Sequence, residues 1–465
     1  SMNYNSGDFY WEAGDYIYVK DDNGDLKKST NAPTSKVASF KYKVPGKFTD
    51  HSSYKVYYLG KNSSGNSVTI STTQLQTAPD NTEHFGTAGD YGTATATGAV
   101  GGGFFSFQLE HHPAYLVFQP YISNTILRNC YLTKVEVTSD NDIAETYTVN
   151  STTGALDASA VTNGDKIILT TKDPAWGSSY KNGFPLTNNS ASVTTNGAYM
   201  VIKPGTHTLR VRYWLKDVVT STEGTITKIY PSTAYASNTY YDMNANLNVR
   251  DYDGTKYYMW DAQQNYWAGH EWNSAAPWQP TLTTQPANSN YAQSNTDPNN
   301  RWYHEGSGAF QATQSCATLP NVNEMTWYAA YGEPRWDADE LWTTMGHLYK
   351  GGMWLKKKSV LLAEHHYNSN TAYDGTDWRT TGKMQSWTPS QTLPSAADAG
   401  KYFLLPALGC YDSGHLNYVG NSGYYWSSSA LPWYSFNAYD LIFYSNRVVV
   451  RYNLRTFGYR VGGFE

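Results

Sequence analysis

The first half of the chain alternates apolar and polar residues in short runs that are separated by turn residues. An early run of this kind ends at Asn23-Gly24, a pair typical of the type I′ turn in a β-hairpin. Similar runs follow at regular spacing, and the 3.6-residue period of a helix is almost absent. The pattern predicts antiparallel β-sandwiches, one over residues 1–120 and a second over residues 121–249.

The remaining residues, 250–465, are richer in tryptophan and tyrosine and contain helix signals. Asn321 or Asn323 can cap a helix that carries Glu324 in its first turn, where a negative charge is favourable. Gly332 is a suitable end for this helix. The composition and the helix signals together predict a third domain.

Two further elements are predicted in this third domain. Asp337 or Asp339 can cap a second helix over residues 339–346, which ends at a glycine. Near the C-terminus, two alternating runs rich in β-branched and aromatic residues flank Ser445-Asn446 and predict a β-hairpin. A short closing strand is expected after it.

Composition and charge narrow the function classes. The chain has 41 Tyr and 16 Trp but only 16% charged residues, a balance typical of extracellular β-proteins. A net charge of −5 gives no basic surface for nucleic acid. No apolar run is long enough to span a bilayer, and Ser1-Met2 resembles an expression scar. We therefore expect an export signal to have been removed.

Neither metal binding nor catalysis is predicted. The two Glu-His-His clusters, at residues 110–112 and 364–366, place adjacent histidines on opposite faces of a strand, where they cannot share an ion. The chain contains no H-E-x-x-H motif and no G-x-S-x-G motif. We expect no cofactor, no metal and no catalytic residue.

Three cysteines are too few for a disulfide framework. Cys316 and Cys410 could pair within the last third of the chain. Alternatively, these two and Cys130 are buried, unpaired thiols. The sequence leaves both arrangements open.

Aromatic residues crowd the segment before the final hairpin. Trp426, Trp433, Tyr434 and Phe436 are the candidate ligand-binding residues, because aromatic faces stack on sugar rings and also anchor protein interfaces. Trp433 is the best candidate, since Pro432 and its polar neighbours indicate a loop. The alternative is that most of these tryptophans belong to the core.

The motifs WEAGDYIYV, FSFQLEHHPAYLVF and LTKVEVTS followed by IAETYTVNSTTGAL resemble the fimbrillins over residues 8–249. Fimbrillins are pilus subunits of Bacteroides-type bacteria. The resemblance implies two tandem β-sandwich domains of transthyretin-like or immunoglobulin-like type, exported as a lipoprotein to the cell outer membrane. It also implies assembly by strand donation, in which a segment of one subunit completes the sheet of the next.

LPNVNEMTWYAAYGEPRWD, HLYKGGMW, FLLPALGCYDSG, GYYWSSSA and RTFGYRV resemble the C-type-lectin-like fold over residues 250–465. This resemblance implies an α+β recognition domain. Glu333-Pro334-Arg335 is similar to the Glu-Pro-Asn sugar motif, but arginine replaces the amide oxygen, which argues against calcium-dependent sugar binding. The closing GYRV is also similar to the formylglycine-generating relatives of the fold.

These resemblances imply a mainly β pilus tip adhesin. Because the chain continues after the second sandwich into a folded domain, we expect it to accept a strand but not to donate one. The expected partners are other pilus subunits and a glycan or a host or bacterial surface protein. We expect contact with the membrane only through a removed N-terminal lipid anchor. The alternatives are a stand-alone surface lipoprotein and, more remotely, a formylglycine-type oxidase.

Overall fold

A computed structural model of the chain describes residues 1–61, 63 and 65–465. The protein is mainly β, with 38% strand and 6% helix, which confirms the predicted fold class at this level. The chain folds into two compact units, unit 1 over Ser1–Asn248 and unit 2 over Val249–Glu465. The sandwich and lectin-like domain types stay predictions.

The regular secondary structure of unit 1 consists mainly of strands. They are β1 (Tyr18–Lys20), β2 (Leu26–Lys28), β3 (Ser53–Tyr58), β4 (Ser67–Thr69), β5 (Thr73–Leu75), β6 (Gly92–Thr97), β7 (Glu110–His111), β8 (Ala114–Tyr121), β9 (Cys130–Ser139), β10 (Glu145–Val149), β11 (Leu156–Ala160), β12 (Lys166–Thr170), β13 (Phe184–Pro185), β14 (Ala198–Ile202), β15 (Gly205–Asp217), β16 (Glu223–Tyr235) and β17 (Thr239–Asn246). Short helices α1 (Phe85–Ala88) and α2 (Val193–Asn196) and a 3₁₀ turn (Thr125–Leu127) interrupt them.

The strands of unit 1 form four groups. One sheet has the order β2-β1-β3-β6-β7, a second β11-β10-β4 and a third β14-β8-β17. The fourth contains β16, β15, β9, β12 and β5 in that order, with β13 beside β9. The predicted Asn23-Gly24 turn lies between the paired strands β1 and β2, and Gly24 has a φ of 77°, which suits glycine.

The boundary predicted at residue 120 does not separate the sheets of unit 1. It falls within β8, whose neighbours β14 and β17 both come from later in the chain. In the same way, β4 and β5 pair with β10 and β12. Alternation of apolar and polar residues shows which residues share a face of a strand, but it does not show which strands are neighbours. The pairing of strands across residue 120 therefore could not be predicted from the local sequence.

Unit 1 is expected to lose stability in acid because of His84. This ring is buried, with Nε2 2.8 Å from the carbonyl oxygen of Tyr199, and burial lowers its pKa from 6.5 to about 4. The unfolded chain binds the proton first as the pH falls, so stability decreases from about pH 6.5 to about pH 4, by on the order of 3 kcal/mol. Urea unfolding of His84→Gln should show a flatter pH profile; an unchanged slope would contradict this.

Unit 2 contains two sheets and two helices. Its elements are β18 (Arg250–Tyr252), β19 (Tyr257–Tyr258), α3 (Val322–Tyr331), β20 (Arg335–Thr344), β21 (His347–Lys356), α4 (Lys358–Ala363), β22 (Gln385–Trp387), a 3₁₀ turn (Ala399–Lys401), β23 (Tyr402–Pro406), β24 (Leu408–Asp412), β25 (His415–Val419), β26 (Gly423–Ala430), β27 (Asn437–Tyr444), β28 (Arg447–Leu454) and β29 (Tyr459–Arg460). One sheet has the order β23-β21-β20-β18, and the other β19-β29-β26-β27-β28-β22.

The predicted helix is confirmed as α3, with Asn321 as its cap. The Asn321 side chain accepts from the backbone N–H of Glu324 at 2.9 Å, and a Glu324 oxygen accepts from the Asn321 N–H at 3.1 Å. This capping box satisfies two backbone donors at the helix start. Asn323, the other candidate cap, lies inside the helix and donates to Asp377 at 2.8 Å. Gly332 ends the helix.

The second predicted helix, over residues 339–346, is wrong. This stretch belongs to β20 and to a tight turn in which Met345 has a φ of 49° and Gly346 a φ of 77°. The Trp342 side chain is buried, and its ring stacks 5.2 Å from that of Tyr349 on β21. Packing across the hairpin therefore outweighs the local capping signal.

The closing hairpin is confirmed. Strands β27 and β28 pair in register from Asn437 opposite Leu454 to Tyr444 opposite Arg447, and Ser445-Asn446 forms the turn. β29 follows as a two-residue strand. No helix in the part of the chain that the structure describes is long and apolar enough to cross a membrane.

Candidate functional site

A large groove crosses one face of the β1-β3-β6 sheet in unit 1, with a cavity of about 1530 Å³. Alternate residues of the three strands point into it because side chains of a strand change face at each step. The register sets Val19 beside Val56 and Tyr54 beside Ala96. With Ile17 these residues form a buried apolar floor.

The first wall of the groove is the segment of residues 38–48, which forms no regular strand. Phe40, Tyr42 and Val44 are half-buried and line the cavity, while the residues between them are exposed. The Tyr42 hydroxyl donates to the backbone oxygen of Asp15 at 3.0 Å. The wall therefore alternates as a strand does, but its backbone hydrogen bonds among the described residues are isolated ones, such as that from the Thr30 N–H to the Lys43 oxygen at 2.8 Å.

The second wall is the segment of residues 103–109. Ser106 exchanges both backbone hydrogen bonds with Thr97 of β6, each at 2.9 Å. The backbone groups of Phe105 and Phe107 consequently point the other way, and within the described residues they have no backbone partner. A row of free donors and acceptors of this kind is a template for another strand.

Aromatic contacts join both walls to the floor at one end of the groove. The ring centroid of Trp11 lies 5.1 Å from that of Tyr42 on the first wall and 6.4 Å from that of Phe107 on the second. Trp11 also lies 5.7 Å from Tyr58, the last residue of β3. Both walls therefore rest on the same indole ring.

The other end is closed in the same way by Tyr54. Its ring lies 4.9 Å from that of Phe48 on the first wall and 5.0 Å from that of Phe105 on the second. From Tyr54 to Tyr58 the floor strand advances about 13 Å, the length of four to five extended residues. The groove fits an extended segment that presents apolar side chains at alternate positions.

In unit 2 the structure separates the four predicted ligand-binding residues. Trp433, Tyr434 and Phe436 are 65%, 57% and 63% exposed, whereas Trp426 is 1% exposed. The Trp426 indole N–H donates to the carbonyl oxygen of Tyr258 at 2.8 Å, so this ring belongs to the core and offers no face to a ligand. The candidate ligand-binding residues are therefore Trp433, Tyr434 and Phe436. All three lie in the segment of residues 431–436, which we call the aromatic loop.

Arg455 fixes the base of the aromatic loop and was not predicted from the sequence. Its buried guanidinium donates from Nε to the Asn437 oxygen at 2.8 Å and from Nη1 to the oxygens of His304 and Gly306 at 3.0 and 2.9 Å. Its backbone N–H donates to the Phe436 oxygen at 2.7 Å. An arginine at a strand end is normally solvated, so no sequence signal marks this one.

Trp433 rests against the backbone of Gly382. A Cβ atom at position 382 would lie 3.1 Å from Cε3 of the indole ring, so only glycine permits this approach without a shift. Met384 and Leu454, two other exposed apolar side chains, are 56% and 47% exposed. Because one side of the indole is backed by the glycine and the residue stays largely exposed, Trp433 presents an aromatic face to solvent.

A polar loop precedes Gly382. Asp377 forms a two-point ion pair with Arg379, with Nε and Nη2 both 2.9 Å from its carboxylate oxygens, and this pairing holds the pKa of Asp377 at about 2. Lys383 lies 3.2 Å from Asp374. These ion pairs order charged side chains next to the aromatic loop.

The three thiols are free and buried, and burial raises the pKa of Cys130 to about 12 and also raises that of Cys316 and of Cys410. Cys316 and Cys410 thus do not form the disulfide that the sequence left open, and protonated thiols are poor nucleophiles. Among the described residues, no group of three or more His, Cys, Asp or Glu side chains is placed to hold a metal ion.

No protein-family model matches the chain, and no curated protein matches it. Three solved structures of low similarity are from Bacteroides. Two are described as a "putative cell adhesion protein". The one from Bacteroides uniformis is 17% identical, with a TM-score of 0.32 over 52% of this chain and 90% of its own. The one from Bacteroides ovatus is 14% identical, with a TM-score of 0.30 over 51% and 84%.

The third is a fimbrial protein from Bacteroides ovatus. It is 12% identical, with a TM-score of 0.26 over 98% of this chain and 95% of its own.

Proposed function

We propose that this chain is a cell-surface fimbrial adhesin that accepts a strand from another pilus subunit and presents a ligand-binding face on unit 2. The observation that carries the proposal is the groove of unit 1, with its apolar floor and a second wall on which the backbone groups of Phe105 and Phe107 point away from β6 and have no backbone partner among the described residues. An inserted strand would pair with that wall by β-augmentation. Each large apolar side chain that it buries contributes about 1.5–3 kcal/mol.

The order of the units supports a position at the tip of the pilus. A stalk subunit needs a free donor segment after its second sandwich, whereas this chain continues there into unit 2. We therefore propose that it caps the filament as an exported protein of the outer membrane surface, held there by the pilus or by an N-terminal lipid anchor. Unit 2, in the proposed lectin-like role, then faces outward.

Immunogold electron microscopy tests this position. Gold particles directed at unit 2 are expected at the ends of filaments. Labelling along the shaft would contradict the tip assignment. A protein that binds its ligand but never co-purifies with other pilus subunits would instead be a stand-alone surface lipoprotein.

The aromatic loop is the proposed contact with a glycan or a surface protein. Trp433→Ala is expected to weaken binding at least about tenfold, because a large aromatic side chain at the centre of a contact dominates its energy. Gly382→Ala should weaken binding several-fold by displacing the indole, whose Cε3 lies 3.1 Å from the added Cβ. A glycan array and a cell-adhesion assay, each with and without calcium, provide the measurement.

Trp176→Ala is the matched control. Trp176 is 96% exposed and lies in unit 1, far along the chain from the aromatic loop. This variant should bind as the parent protein does. Equal binding by Trp433→Ala and Trp176→Ala would place the ligand contact elsewhere.

A further inference from the structure

One end of the groove is acidic. Glu12, Asp15 and Asp90 line the cavity. Asp15 marks the end at which Trp11 lies, because its Oδ1 accepts from the Tyr58 hydroxyl at 2.9 Å. Asp15 and Asp90 are 3% and 2% exposed, so both carboxylates are removed from water.

The hydrogen bonds that these carboxylates accept come mainly from neutral donors. Asp15 accepts from Tyr58 and, at 2.7 Å, from the backbone N–H of Glu12. Asp90 accepts from the Tyr115 hydroxyl at 2.5 Å and lies 2.9 Å from Nδ1 of His111. Such bonds satisfy lone pairs without supplying a full counter-charge.

The Glu12 carboxylate has fewer hydrogen-bond partners than those of Asp15 and Asp90. Its Oε1 atom is buried and has no hydrogen-bond partner among the described residues. A buried carboxylate oxygen in this state is costly unless a cation or a donor reaches it.

The cations near the groove do not fill this role. Lys41, Lys43 and Lys61 line the cavity, but all three are exposed, and within the described residues none forms an ion pair with Glu12, Asp15 or Asp90. The α-ammonium group of Ser1 also lines the cavity and is attracted by Asp90, Glu12 and Asp15, but it donates its hydrogen bond to the backbone oxygen of Tyr10 at 3.0 Å. Among the described residues, no lysine or arginine side chain therefore pairs with these three carboxylates, and the positive groups close to them are the Ser1 ammonium group and, when protonated, His111.

The opposite end of the groove has no comparable group of carboxylates among its described lining residues. Phe48, Phe105 and Tyr54 line it, and the nearby carboxylate of Asp22 is outside the cavity lining. Asp22 is fully engaged, since it accepts from the Tyr54 hydroxyl at 2.6 Å and from the Thr49 N–H at 2.7 Å. The groove is consequently polarised along its length.

We propose that the strand that fills the groove carries a lysine or arginine at one end of its apolar run, placed beside Glu12, Asp15 and Asp90. This inference rests on the proposed strand acceptance and adds the chemistry of the partner. A cation at this position pairs with carboxylates that are already desolvated, so the charge contributes to binding more than on an exposed surface. A neutral or acidic residue there leaves Glu12 unpaired, which selects against the wrong partner strand and the wrong direction of insertion.

Peptide binding to the full chain tests the inference. The probes are blocked peptides of about nine residues that alternate valine and threonine. One is neutral, two carry lysine at the first or the last position, and two carry glutamate there. Fluorescence anisotropy is expected to show that the neutral peptide binds and that one lysine peptide binds at least about tenfold tighter. Its advantage should decrease at high salt.

Two variants locate the effect. Glu12→Gln is expected to abolish the lysine preference while it retains the neutral peptide. Glu110→Gln, which neutralises an exposed carboxylate on β7 outside the cavity lining, should keep the preference. Thermal unfolding of each variant checks that unit 1 is folded.

The outcomes separate the two proposals. Equal affinity for the neutral, lysine and glutamate peptides would overturn the inference and leave strand acceptance intact. A preference that survives in Glu12→Gln would also overturn it. If no peptide binds, strand acceptance by this groove fails, and the inference with it.

Discussion

Replacing Arg455 by methionine is expected to destabilise unit 2 by about 3 kcal/mol and to disorder the aromatic loop. Methionine fills much of the same volume but cannot donate, so the carbonyl oxygens of Asn437, His304 and Gly306 lose their guanidinium partners. A buried acceptor left without a partner costs about 1–3 kcal/mol, and the cost is at the lower end here because the three bonds are only partly buried and Gly306 is exposed.

Part of this cost is offset because the guanidinium itself is unfavourably buried. Burial lowers the pKa of Arg455 from 12.5 to about 10, which shows that the charged form is penalised at this site. This offset is limited, because the methionine variant also loses the cation–π contact of the guanidinium, which lies 4.8 Å from the ring centroid of Trp260. The net effect is therefore smaller than the sum of three lost hydrogen bonds.

Urea unfolding followed by tryptophan fluorescence measures the change. Arg447→Met is the control, because Arg447 is exposed on β28, the strand that ends just before Arg455, and this change should cost less than about 0.5 kcal/mol. Ligand binding by Arg455→Met should fall together with that of Trp433→Ala. Equal stability of the two arginine variants would contradict the anchoring role of Arg455.

The second large effect concerns Asp440, which is 0% exposed in β27. One oxygen accepts from the Asn453 side chain at 2.7 Å, and the other, Oδ1, has no partner among the described residues. Burial raises the pKa of this carboxyl from 3.8 to about 8. The folded chain therefore keeps a proton that the unfolded chain releases.

The sign of the pH dependence follows from that difference. Between about pH 4 and pH 8 the folded state binds more protons, so stability decreases as the pH rises and stays low above about pH 8. Asp440→Asn cannot ionise and is expected to stabilise unit 2 by up to roughly 5 kcal/mol near pH 9, with little effect near pH 4. The trend is opposite to that of His84 in unit 1.

Denaturant titrations at several pH values test this prediction. Asp412→Asn, at an exposed position on β24, is the control and should change stability by less than about 0.5 kcal/mol at any pH. A gain in Asp440→Asn that is the same near pH 4 and near pH 9 would show that ionisation of Asp440 is not the cause.

Local signals in the sequence predicted what local interactions determine. The capping box of Asn321 and Glu324 and the turn at Ser445-Asn446 lie within a few residues of the contacts that they make, so both elements were correctly placed. Residues 339–346 carried equally good helix signals. The contact of Trp342 with Tyr349 across the hairpin decided that stretch in favour of a strand.

Long-range partners could not be inferred in the same way. β8 pairs with strands about eighty and more residues later, which is why a boundary near residue 120 was predicted where the sheets are continuous. Trp426 and Trp433 stand close together in similar surroundings, and only packing against Tyr258 and Tyr459 places the first in the core. The burial of Arg455 and the acidic end of the groove depend on the same kind of distant contact.

Hydrogen–deuterium exchange on the full chain, alone and mixed with purified fimbrial subunits, tests strand acceptance most directly. Residues 38–48 and 103–109 should become protected in the mixture, because an inserted strand supplies partners for backbone groups such as those of Phe105 and Phe107. The aromatic loop, residues 431–436, should exchange as before. A stable complex in which both walls exchange at their original rates would contradict the account.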